Sequence, residues 1–98
     1  MTIAPKTVVA LPWFHRQDYA ALRASMRDAA ELPEQFADWE ATEAALEEAT
    51  VANGTDVQRV MLEPAAFDAW CRAHSRTADA QARHDYAHEL VRTSTLAA

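Results

Sequence analysis

The sequence predicts a helix-rich α/β fold in which one strand and two helices occur twice, giving the order βααβαα. Two short runs rich in β-branched residues, Thr7 to Leu11 and Val57 to Leu62, each end at or beside a proline. Around them, large apolar side chains recur at spacings of three and four, the period of a helix with one buried face. Asn53-Gly54, which contains the only glycine of the chain, divides the two halves.

The elements follow in order. Thr7 to Leu11 is a buried strand closed by Pro12. Arg16 to Ala30 is a helix with Tyr19, Leu22 and Met26 on one stripe and Asp18 in the first turn, where an anion suits the helix dipole. Leu32-Pro33-Glu34 opens a second helix that runs to Ala52, with Pro33 at its first position. Gly54 supplies the left-handed residue that ends it. After the strand Val57 to Leu62, Pro64 opens a third helix with Phe67, Trp70, Cys71 and His74 on one face. Ser75-Arg76-Thr77 breaks the chain and caps a fourth helix, whose stripe of Ala82, Tyr86 and Leu90 reaches Arg92.

Two strands joined by a long helical crossover pair in parallel, with a right-handed connection. A two-stranded sheet is weak alone and leaves open edges, so a homodimer or another homo-oligomer is expected. At 98 residues, half of them hydrophobic, the chain makes one domain over 1–98, with 1–6 and 94–98 expected to be flexible. Much of the apolar half is alanine, which leaves Trp13, Phe14, Tyr19, Phe36, Trp39, Phe67, Trp70 and Tyr86 to build the core.

Three segments in this order, a strand ending Pro12-Trp13-Phe14, the pattern from Leu32 through Phe36 to Trp39, and Ala66 to Cys71, resemble a family of short, uncharacterised bacterial α/β proteins with no established activity. The resemblance implies a bacterial cytoplasmic domain and carries no site chemistry.

Charge narrows the function. The net charge is −6, and one lysine and eight arginines are too thinly spread to neutralise a run of phosphates, so no direct nucleic-acid partner is expected. The run from Val8 to Phe14 is too short to span a bilayer, and no membrane partner is expected. One cysteine permits no intramolecular disulfide and no cysteine zinc cage, which fits a reducing cytoplasm. With one glycine there is no phosphate-cradling loop, and no cofactor is expected.

The candidate residues are few. His84 and His88 stand at i and i+4, the spacing of a zinc-metalloprotease helix, but Asp85 replaces the glutamate, no third ligand is indicated, and both histidines project away from the apolar stripe. They are the candidate metal ligands in a chain not expected to need a metal. His74 lies in the stripe of Phe67 and Trp70, and Glu43 falls among Phe36, Trp39 and Leu46. A facing His74 and Glu43, or Glu43 beside Arg23, would form the polar centre of a cleft and the candidate catalytic pair. Cys71 reads as a buried, inert thiol. From Asp28 to Asp56 there are nine acids and no lysine or arginine, so Glu40, Glu47 and Glu48 are the candidate partner-binding residues.

The expectation is a non-catalytic, acidic interaction or regulatory module that self-associates or binds a partner protein. One alternative is a metal- or small-ligand-binding domain using His74, His84 and His88. Another is a small inhibitor of a nucleic-acid-binding system, of phage or mobile-element type.

Overall fold

The computed structural model describes residues 8–97. The expected flexible start at 1–6, Thr7 of the first strand, and Ala98 lie outside the described residues. The elements are β1 (Val8–Phe14), α1 (Tyr19–Ser25), α2 (Phe36–Ala52), β2 (Asp56–Leu62), α3 (Pro64–Ala73) and α4 (Ala80–Ala97), with single 3₁₀ turns at Arg16–Asp18 and Ala29–Glu31. This is a small α/β fold of two parallel strands and four helices in the order βααβαα. Among the described residues, no helix is long and apolar enough to cross a membrane.

The two strands pair in parallel from Val8 opposite Asp56 to Phe14 opposite Leu62. Alternate residues of a strand face opposite sides. Ala10 and Val60 therefore meet Ala87 and Val91 of α4 on one face. Trp13 and Arg59 turn to the other face, where Trp13 packs edge-on to Trp39 of α2 with ring centroids 5.1 Å apart and Arg59 forks onto Glu47 of α2 with two 2.8 Å hydrogen bonds. The layers are thus α2, sheet and α4. The main core lies at the carboxyl ends of the strands, where Trp13, Phe14 and Leu62 are joined by Tyr19, Leu22, Met26, Trp39, Phe67 and Tyr86.

Several boundaries differ from the sequence expectation. β1 runs through Pro12 to Phe14. A proline holds a place in a ladder only where its missing N–H would point to the outer edge, so Pro12, paired with Val60, turns its polar side outward and Val60 turns its own inward. The first helix stops at Ser25 rather than Ala30, because Met26 turns extended, its side chain almost fully buried, and the Arg27 N–H donates to the Ala78 carbonyl at 2.8 Å. Burying Met26 and pairing Arg27 with a distant carbonyl stabilise the chain more than one further helical turn would. The second helix starts at Phe36, not Pro33. Leu32 is extended, as a residue before proline prefers, and the Pro33 carbonyl accepts the Tyr19 hydroxyl. The fourth helix is capped by Asp79, whose Oδ1 accepts the Ala82 N–H at 2.9 Å, and not by Ser75 to Thr77. It also continues past Arg92 to Ala97.

Two helices end in the same motif. At the end of α2, Gly54 has φ 86°, its N–H donates to the Val51 carbonyl at 2.9 Å, and Thr55 N–H reaches the Thr50 carbonyl at 3.3 Å. At the end of α3, Ser75 N–H reaches the Arg72 carbonyl at 3.2 Å and Arg76 N–H reaches the Cys71 carbonyl at 2.8 Å. Both are Schellman closures, which require a left-handed residue. Gly54 adopts it without strain, whereas Ser75 holds φ 52° against the repulsion between its Cβ and the following carbonyl. Ser75→Gly is expected to raise the unfolding free energy by about 0.5–1 kcal/mol, read as a higher urea midpoint with unchanged slope. Ser75→Val is expected to lower it.

Candidate functional site

Among the described residues, the most enclosed charged side chain belongs to an ion pair. Arg83 of α4 is 7% exposed and forks onto Asp28 with hydrogen bonds of 3.0 and 2.9 Å. The same guanidinium stands 5.6 Å from the centre of the Phe14 ring. The hydrogen bonds from Arg83 hold the Asp28 carboxyl below its usual proton affinity. Asp28 reaches this position because the chain leaves the helical path at Met26.

Beside this pair, on the outer side of β1, opens a pocket of about 190 Å³ lined by Leu11, Pro12, Leu32, Trp39, Glu43, Ala80, Arg83 and His84. Burial raises the proton affinity of Glu43, and the nearby positive charge of Arg83 offsets that only in part. Among the described residues Glu43 has no hydrogen-bond partner, since Arg83 is already committed to Asp28. No serine, threonine or cysteine lines the pocket, so it offers a protonatable carboxyl and an imidazole but no hydroxyl or thiol nucleophile.

His74 is not part of this group. It caps the end of α3, is exposed, and stacks on Trp70 with ring centroids 4.4 Å apart. Its Nδ1 lies 2.8 Å from the Trp70 carbonyl oxygen. The apolar stripe assigned to it from helical spacing ends one turn earlier, because the helix closes there and the ring folds back on its own neighbour. The expected facing of His74 and Glu43 does not form, and Arg23 donates through Nε to the Leu32 carbonyl at 3.0 Å instead of meeting Glu43. The histidine that shares a pocket with Glu43 is His84.

His84 and His88 stand on the flank of α4. His74 and His88 border an open cavity of about 320 Å³ with Trp70, Asp85, Glu89 and Arg92. The indole N–H of Trp70 donates to Glu89, and Asp85 is held by Arg76 at 2.8 Å and Gln81 at 2.9 Å. His84 and His88 are both exposed, with ring centroids 4.2 Å apart. His15 is occupied by Glu63 at 2.8 Å. No group of three or more His, Cys, Asp or Glu side chains among the described residues is placed to hold a metal ion.

The three acidic candidates on α2 are used unequally. Glu47 is locked on Arg59, which also lies 3.7 Å above the Trp13 ring. Glu40 approaches Arg16 at 3.9 Å. Glu48 is exposed and, among the described residues, makes no ion pair. Cys71 is buried in the core, and burial raises its thiol above the usual proton affinity. Sequence reasoning missed Arg83, although a lone arginine beside the Ala82 and Tyr86 stripe was a signal that a buried carboxylate must meet it. No family model, curated protein or solved structure matches this chain.

Removing one partner of a buried pair strands the other charge. Asp28→Ala is expected to lower stability by about 3 kcal/mol or more, and Arg83→Met in that background to recover most of the loss in urea unfolding. Glu43 behaves oppositely. Its carboxyl binds a proton more readily folded than unfolded, so its penalty is absent below the unfolded pKa of about 4.3 and complete above the folded one. Glu43→Gln is therefore expected to raise Tm at pH 7, with the gain vanishing as pH falls towards about 4.

Proposed function

We propose that the chain is a non-catalytic interaction module of the cytoplasm that pairs with a second copy along the outer edge of β2 and offers the acidic side of α2 to a partner protein. One observation carries this reading: β2 is an edge strand, paired on one side alone among the described residues. Among the described residues its only strand neighbour is β1, and Asp56, Gln58, Arg59 and Met61 are all exposed. β1 lacks an outward N–H at Pro12, which discourages strand addition on that side. With the polar groups of Val60 turned towards β1, the period of the strand leaves Val57, Arg59 and Met61 with outward N–H and C=O groups. Two-fold pairing of β2 with its copy would make a four-stranded sheet with Pro12 near both outer edges, and four strands hold better than two.

On the adjoining helix, the half-exposed Val51 lies one turn beyond the exposed Glu48 and on the same face. A mixed apolar and acidic helix side suits a basic protein surface with an apolar centre, and a protein that binds nucleic acid is one source of such a surface. The absence of a nucleophile near Glu43 supports contact rather than chemistry.

Sedimentation of the tag-free chain at rising concentration tests the edge. A dimer is expected by about 100 μM, and Val57→Pro, which removes an outward N–H, is expected to leave a monomer with unchanged helix content. A wild-type monomer throughout that range, or a Val57→Pro chain that still dimerises, would overturn the proposal.

A further inference from the structure

Of the four histidines, two have a protein partner on the ring: His15 meets Glu63 and His74 meets the Trp70 carbonyl oxygen. His84 and His88 do not. Among the described residues neither ring has a hydrogen bond, both are exposed, and they stand one helical turn apart with centroids 4.2 Å from each other and planes at 59°. Two such rings left without partners repel when both are protonated.

Two imidazoles held this close can share one metal ion. With metal–nitrogen bonds of about 2.0–2.1 Å, two imidazoles at right angles around one ion have centroids roughly 4.5 Å apart, close to the spacing present. The charged neighbour between them does not compete, because Asp85 is taken up by Arg76 and Gln81. It remains close enough to favour positive charge at this turn. Imidazole pairs select the late first-row divalent ions over calcium or magnesium, which prefer oxygen.

We propose that His84 and His88 form a two-imidazole chelate for a divalent late first-row transition-metal ion of the copper, nickel or zinc type, with water in the remaining positions. The open positions make the ion exchangeable and accessible from solvent, unlike a structural zinc with four protein ligands. The site lies on the side of α4 away from the Tyr86 stripe, so loading it requires no rearrangement of the core.

Calorimetric titration of the tag-free chain with Ni²⁺, Cu²⁺ and Zn²⁺ near neutral pH tests this, with Mg²⁺ as the reference. Saturable binding of one ion per chain is expected for at least one of the three and none for Mg²⁺. His84→Gln and His88→Gln are each expected to weaken it at least about tenfold, and the double variant to abolish it, while His74→Gln leaves it unchanged. All of these side chains are exposed, and an unaltered circular dichroism spectrum shows that a variant is folded. No saturable binding up to about 1 mM, or binding that survives in the double variant, would overturn the proposal.

Discussion

The fold hangs on a knot of aromatic rings at the carboxyl ends of two strands. Phe14 meets Tyr19 at 5.1 Å and Trp39 at 4.9 Å, Trp13 meets Trp39 at 5.1 Å, and Tyr19 meets Phe36 at 5.6 Å. β1, α1 and α2 contribute these rings, while Phe67 of α3 and Tyr86 of α4 close the same core with centroids 5.4 Å apart. A ring that buries about 150–250 Å² is worth roughly 4–6 kcal/mol of gross transfer free energy. A parallel pair of seven-residue strands has no comparable source of stability. Every helix therefore has to reach this cluster, and the remaining geometry follows from how each does so.

Two arginines fasten the layers around the knot. Arg59 lies over Trp13 and forks onto Glu47, which ties β2 to α2. Arg83 lies near Phe14 and forks onto Asp28, which ties α4 to the segment after α1. The geometry is similar but the energetics are not. The Arg59 pair is open to solvent and adds little beyond register. The Arg83 pair is enclosed, so losing either partner is severe even though the intact pair gains little over well-packed apolar residues. Glu43 is left beside a guanidinium that it cannot claim, and burial without a hydrogen-bond partner raises its proton affinity above that of an ordinary glutamate.

The order of elements, the parallel strands and the aromatic core were legible because they depend on periodicity and punctuation: β-branched runs, rings at helical spacing, Gly54 at a left-handed closure. The breaks inside helical patterns were not. Met26 belongs to the stripe of Tyr19 and Leu22, yet its burial is satisfied by leaving the helix, and nothing local to the sequence says that Arg27 will donate to Ala78 or that Asp28 will meet Arg83 fifty-five residues away. The candidate site failed for the same reason. Helical projection placed His74 in an apolar stripe, but the stripe ended with the helix. It placed Glu43 inward correctly and left its neighbours undetermined, because those come from β1 and α4.

Folding uses up most of the chemistry in this chain, and what it leaves over is informative. Asp28, Glu47, Asp79, Asp85 and Glu89 are each bound to a cation, an amide or an indole that they help to position. The thiol of Cys71 is enclosed. Among the described residues, groups that folding leaves over include the outward edge of β2, the exposed Glu48 and Val51 of α2, and the ring nitrogens of His84 and His88. All stand outside the aromatic knot, so substitutions there leave the core intact.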